Sequence, residues 1–305
     1  MTPASLRVAR LRAVRALSLV ALLAAPVGAA HAQSSASQPV ALRFRATVDN
    51  QPFACGQSYS GIGTTKGTIS VTDFRFYVHD VRLVDTSGRE VAVQLDSDGL
   101  WQSNGVALLD FEDGSGPCSN GNAELRDVVV GSAPAGSYTG VRFTVGVPFD
   151  LNHRDLTQQP SPLSLSRLFW AWNSGYKFMR IDMKSGPTQS WVLHLGSTEC
   201  LPTGTPSTIP TKCAWGNRPE IAFASFDLSR DVVNLDLAAM LRTANVSVNQ
   251  PKTAMGCMSG QADSDCAPVF AALGLPFGTT KGGGQWAFSV ARGGGAAGNA
   301  PAAAR

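Results

Sequence analysis

The sequence predicts an all-β protein, an antiparallel β-sandwich with one or two short helices and disulfide-clipped loops. Three observations predict it. Many short stretches alternate apolar and polar residues, the two-residue period of a half-buried strand. Glycine, proline, asparagine and serine clusters separate them at short intervals. Six cysteines lie beyond the N-terminal segment, an even number that reads as bridges in an exported chain.

Export is the reading of residues 1–32. Arg7, Arg10, Arg12 and Arg15 form a positive n-region, residues 16–27 an apolar run, and Ala30-His31-Ala32 an A-x-A cleavage site. The run is too short to span a bilayer of roughly 30 Å. Four of the 25 basic residues lie in this signal and none of the 22 acidic ones, so the mature chain carries 21 basic against 22 acidic residues. A net charge of −1 argues against nucleic acid or an anionic membrane as partner. No later apolar run suffices for a membrane span, and a periplasmic or secreted location is expected. Residues 33–39 read as a polar linker, 40–291 as the β domain, and 292–305 as a Gly/Ala-rich tail predicted to be disordered.

Within the domain, residues 40–48 alternate through Val40, Leu42, Phe44, Ala46 and Val48 and form the first predicted strand. Residues 57–67 are a loop. Residues 68–84 carry the clearest sheet signal: Ile69 and Val71, then Phe74, Phe76 and Val78, then Val81 and Leu83. The alternation slips at Thr72-Asp73 and again near Asp80, as at a bend or bulge. Strands are predicted at 90–95, 106–111 and 138–147.

Residues 163–182, LSLSRLFWAWNSGYKFMRID, break this rhythm. Ser161-Pro162 has the form of a helix start. Leu165, Leu168, Phe169 and Trp172 then fall at i, i+3, i+4 and i+7, one face of a helix ending near Gly175. Trp170 would lie about 200° round that helix from Trp172. Strands resume at 176–183 and 191–195, the latter with Val192 and His194 on one face and Trp191, Leu193 and Leu195 on the other. Residues 196–219 are a loop. Strands follow at 221–228 and 232–237, with a helical turn at 237–241, short β at 245–248, a short helix at 269–273 and a last strand within 282–290. Cys200–Cys213 and Cys257–Cys266 are the preferred local bridges, leaving Cys55–Cys118, out of about 15 pairings open to six cysteines.

No hydrolase elbow, phosphate loop, H-E-x-x-H or haem-attachment motif occurs, and the chain is not expected to be an enzyme. The mature chain has three histidines, His79, His153 and His194. Imidazole suits copper, and two or three converging imidazoles make a usable copper site. Singly, each has a structural alternative: His79 a sheet surface, His153 a turn cap, His194 a hydrogen-bonded sheet residue. Met179, Met183, Met255 and Met258 offer soft ligands or core packing. An accessible tryptophan beside a metal, with Tyr176 close in sequence, would pass electrons to a redox partner; the alternative is a rim aromatic covering the sheet.

Taken together, PFDLNHRDL, SPLSLSRLFWAWNSGYKFMRID, WVLHLGSTEC, NRPEIAF and the terminal GCMSG…DCAPVF resemble the MbnP-like proteins, also called metallo-mystery-pair four-Cys-motif proteins. The likeness covers roughly residues 40–290. It implies an exported copper-binding protein encoded beside a di-haem cytochrome c peroxidase-like partner of the MauG/MbnH type. It further implies a tryptophan converted to kynurenine that helps bind copper with histidines. Carried over by motif, His153 of LNH and His194 of W-x-x-H are the first ligands and His79 the third. The modified residue would belong to the FWAW segment, with Trp170, Trp172 and Trp191 all open. The chain has six cysteines against the four of the family name. A reading from another class is an adhesive or carbohydrate-binding sandwich whose exposed aromatics stack on sugars.

Overall fold

A computed structural model describes residues 36–119, 121–171, 173–186, 189–203 and 208–292. The signal segment 1–32, Trp172 and the tail beyond residue 292 lie outside the described residues.

Among the described residues, two large sheets of six and nine strands form the sandwich. The smaller has the order Phe288–Ala291, Val232–Asp236, Ser37–Val48, Val128–Pro134, Gln94–Leu95. The larger has the order Gln189–Leu195, Met179–Ser185, Gly67–Asp85, Tyr138–Val145, Glu220–Phe223, with Ser58–Ile62, Glu90–Ala92 and Val106–Asp110 also paired to its long central strand. The ladders are antiparallel except that Ser37–Val48 runs parallel to Val232–Asp236. Alternation explains the core. Leu42 and Phe44 from one sheet and Phe76 and Phe143 from the other turn inward and are buried. Phe44 meets Phe143 at 5.3 Å and Phe76 at 6.1 Å between ring centroids, and Phe288 closes the group at 5.8 and 5.9 Å. Aromatic contacts across facing sheets define a sandwich.

The phase slips of residues 68–84 are bulges in one 19-residue strand, Gly67–Asp85. Asp73 pairs with Asp182 and Val71 with Met183, so Thr72 is extra. Opposite Arg142 and Thr144 stand Arg82 and His79, so Asp80 and Val81 together face the single residue Phe143, one residue in excess, and Asp80 takes a left-handed φ of 50°. Val128–Pro134 is a strand that the periodicity did not mark. Its run is interrupted by Gly131, where a Cβ would lie 2.3 Å from the Gln94 carbonyl; glycine lets the edge strand approach.

The helix expected over residues 161–175 is absent from the described residues of that range. A 3-10 turn, Ser166–Leu168, leads into a hairpin of Phe169–Ala171 and Gly175–Tyr176. Core tyrosines claim the backbone that a helix would need: Tyr77 donates its hydroxyl to Pro162 O and Tyr176 donates to Leu163 O. Leu168 is buried all the same, so the apolar spacing is satisfied without helical geometry. The short strand expected at 245–248 is irregular, and the loop 196–219 contains a hairpin, Thr198–Leu201 with Lys212–Trp215. The described helices are three short ones, Phe149–Asn152, Leu237–Met240 and Cys266–Ala272. The bridges are Cys55–Cys118, Cys200–Cys213 and Cys257–Cys266. No described helix is long and apolar enough to cross a membrane.

Candidate metal centre

Strand geometry brings charge to the outer face of the larger sheet. Trp191, Leu193 and Leu195 enter the core, which puts His194 on the opposite face, directly across from Arg180. Asp182, two residues along the same face, places Oδ1 2.6 Å from His194 Nε2. Its Oδ2 accepts from Arg180 Nη2 at 2.6 Å. Arg180 Nε lies 3.2 Å from Asp73 Oδ2, Asp73 is bound by Arg75, and Arg75 Nη1 lies 3.7 Å from Glu112 Oε1. The result is a ladder of alternating charge running away from His194. Burial alone would raise the Asp182 pKa, but the hydrogen bonds from His194 and Arg180 outweigh it and hold the carboxyl at about 2.

The far end of the ladder is acid-rich. Burial pushes Asp110 up to about 8, opposed by Arg75 and aided by Glu112 and Asp73. A folded pKa above the unfolded value of about 3.9 means stability that is fully present below about pH 4 and lost as pH rises toward 8. Asp110→Asn keeps the acceptor for the Glu112 N–H, which Asp110 Oδ1 takes at 3.2 Å, and removes the charge. It should stabilise the protein by on the order of 2 kcal/mol more at pH 8 than at pH 5. Denaturant titrations at the two pH values check this; an equal effect at both would contradict the burial of an ionising Asp110.

His194 has the form of a metal ligand held from behind. Because Asp182 accepts at Nε2, the ring proton sits there and the lone pair belongs to Nδ1. His194 is 6% exposed, and its Nδ1 is buried with no hydrogen-bond partner among the described residues. A buried imidazole nitrogen without a partner is costly unless something else binds it. A carboxylate on the remote nitrogen is the usual way a protein orients a metal-binding histidine.

Trp170 stands beside it, its ring 6.3 Å from the His194 ring and tilted by 55°. The indole lies over Gly196, where a Cβ would come within 2.5 Å of Trp170 Cζ3; only glycine admits this approach. Trp170, Ser174, Glu199, Cys200 and Met258 line a cleft of about 310 Å³. The Met258 backbone is anchored next door, since Ser259 Oγ donates to His194 O and accepts from Gly196 N, both at 2.9 Å. Trp170 is half-buried on a strand and not on the expected helix, and the cleft gives it its access.

The other residues singled out from sequence fall as follows. His153 follows the helix Phe149–Asn152, and its Nε2 lies 3.1 Å from Asn152 Nδ2, 3.5 Å from Cys213 Sγ and 3.9 Å from Cys200 Sγ. Cys200 also lines the Trp170 cleft, so His153 stands behind that cleft's wall. His79 donates through Nδ1 to Gly146 O at 2.8 Å, and burial lowers its pKa. Among the described residues the one group of three His, Cys, Asp or Glu donors within 4.8 Å of one another is His153, Cys200 and Cys213. The three histidines are therefore not gathered round one point. Trp191 has no exposed surface, and Trp172 lies outside the described residues. Met179 and Met183 are core. Asp182, Arg180, Asp73 and Arg75 were missed. Their signal was present: VTDFRF and FMRIDM each set two opposite charges at strand spacing between core side chains.

Fold and site define a disulfide-clipped β-sandwich with a carboxylate-oriented histidine beside a tryptophan-lined cleft. A family model for MbnP matches residues 37–259, and the chain belongs to the MbnP family. Among solved structures it is similar to MbnP from Methylosinus trichosporium, with 31% identity and a TM-score of 0.73, over 84% of this chain and 99% of that one. No curated protein matches.

Proposed function

We propose that this chain is an exported copper-binding protein in which His194 Nδ1 is a copper ligand, oriented through Nε2 by Asp182, with Trp170 beside it. The observation that carries the reading is the buried Nδ1 without a partner, next to a cleft that also presents Met258. Imidazole and thioether are donors that suit copper, and the MbnP family likeness implies that metal. His153, behind Cys200, is the second imidazole of the region. The chain's part is to hold and orient these donors; it acts as a binding protein and not as an enzyme. Three disulfides support export to the periplasm or beyond.

Trp170 is the residue we assign to oxidation, to kynurenine, by a di-haem cytochrome c peroxidase-like partner. Indole oxidation needs an outside oxidant, and Trp170 lies on a cleft whereas Trp191 is enclosed. Co-expression with such a partner should change the mass of the peptide containing Trp170 and not that of Trp191. The reverse pattern would move the assignment.

Asp182→Asn tests the site without touching the ligand. It should weaken copper binding about 10- to 100-fold in a competition titration while the far-ultraviolet circular dichroism stays unchanged. Unaltered affinity would mean that Asp182 orients nothing that binds copper.

A further inference from the structure

The Cys200–Cys213 bridge has a histidine nitrogen set against it. The two cysteines face each other directly across the hairpin of Thr198–Leu201 and Lys212–Trp215, so both side chains leave the same face of a rigid two-stranded frame. His153 Nε2 reaches both sulfurs, at 3.5 and 3.9 Å. Its protonation is set by its neighbour. Asn152 Oδ1 accepts from Tyr176 N at 2.8 Å, which leaves the Asn152 amide N–H to donate to His153 Nε2 at 3.1 Å. Nε2 is thus the lone-pair nitrogen, and it is the one beside the sulfurs. The group is reachable from two sides, because Cys200 lines the Trp170 cleft and His153 lines a separate cleft of about 600 Å³ with Phe149 and Ile209.

We infer that Cys200, Cys213 and His153 form a redox-gated site for cuprous copper, closed while the disulfide stands and opened by a dithiol reductant. Opening is a two-electron step. The dithiol's electron pair breaks the Cys200–Cys213 S–S bond, its two protons pass to the two cysteine sulfurs, and the dithiol leaves as its own disulfide. Cuprous ion then replaces both thiol protons, which go to water, and the Nε2 lone pair supplies a third donor as the Asn152 amide gives way. Two thiolates and one imidazole are a soft set that selects cuprous copper over harder cations. All three donor atoms already lie within 4.8 Å of one another, so little backbone movement is required. The site uses none of His194, Asp182 or Trp170; it shares only His153 with the copper reading of that cleft, and the Cys200→Ser/Cys213→Ser variant, which leaves His153 in place, separates the two.

The test uses the whole mature protein in four forms: oxidised, reduced, reduced Cys200→Ser/Cys213→Ser, and reduced His153→Ala. Reduction is by a phosphine followed by anaerobic desalting, and the probe is cuprous ion in competition with a chromophoric chelator. Reduced protein should bind one more cuprous ion than oxidised protein. The double variant should lose that extra ion, although its other two bridges are reduced alike, and His153→Ala should bind it at least about tenfold more weakly. As a check independent of the variants' folding, cuprous ion should shield Cys200 and Cys213 of reduced wild-type protein from alkylation, and leave Cys257 and Cys266 open, in peptide mass mapping. Equal copper uptake by the reduced wild type and the double variant, or alkylation of Cys200 and Cys213 at the same rate with and without the ion, overturns the inference.

Discussion

Replacing His194 with alanine should lower copper affinity at least about a hundredfold, more than any other single substitution on the sandwich's outer face. Altering a residue that only supports a metal-binding histidine costs about 10- to 100-fold. In the proposed site His194 supplies the nitrogen donor itself, so its loss should sit at or beyond the upper end. The fold should survive, because Asp182 keeps its bond to Arg180 Nη2 and the core residues Trp191, Leu193 and Leu195 are untouched. A competition titration on folded protein reads the effect. Affinity within a few fold of wild type would take copper away from this histidine altogether.

The second large effect is on stability. Arg75 is the cation among Asp73, Asp110 and Glu112, and it is 3% exposed. Burial alone would lower its pKa; the hydrogen bond and charge of Asp73, with the charges of Asp110 and Glu112, raise it above the ordinary value. Arg75→Met fills much of the same volume and removes the charge. Breaking a buried pair from one side typically costs about 3–5 kcal/mol, because the partner charge is left uncompensated. Asp73 retains Arg180 at 3.2 Å, while Asp110 and Glu112 lose their cation. Burial already raises both of these acids, so protonation relieves them as the pH falls. The loss should therefore be near about 3–5 kcal/mol at pH 8 and clearly smaller at pH 5. Denaturant unfolding at both values decides it. A loss that does not depend on pH would mean that packing, and not stranded carboxylates, is what Arg75 supplies.

Much of the fold could be read from the chain because strand periodicity is local. The slips at Thr72 and Asp80 show in the order of residues, since a bulge changes which side chains face inward. His194 could be placed opposite Trp191 and Leu193 for the same reason. Residues 161–175 misled because four apolar side chains in eight residues fit a helix as well as a 3-10 turn and hairpin. What decided between them was the demand of Tyr77 and Tyr176 for two backbone carbonyls, one of them from a tyrosine 85 residues away.

The site was less legible than the fold. The charges at Asp73, Arg75, Arg180 and Asp182 are regular in sequence, but their pairing depends on the register of three strands. Likewise, His153 was a good candidate by residue type, yet its neighbours are a disulfide 47 and 60 residues on. Spacing along the chain carries no information about such contacts. Side-chain chemistry could nominate the histidines, and only the sheet could sort them into one held by Asp182, one set against sulfur and one bound to the Gly146 carbonyl.

Diffraction from copper-loaded crystals on either side of the copper absorption edge bears most directly on the central assignment. The account predicts an anomalous peak about 2 Å from His194 Nδ1, with Asp182 still on Nε2 and Trp170, or its oxidised form, alongside. Full copper occupancy at some other place, with His194 Nδ1 bare, would contradict it.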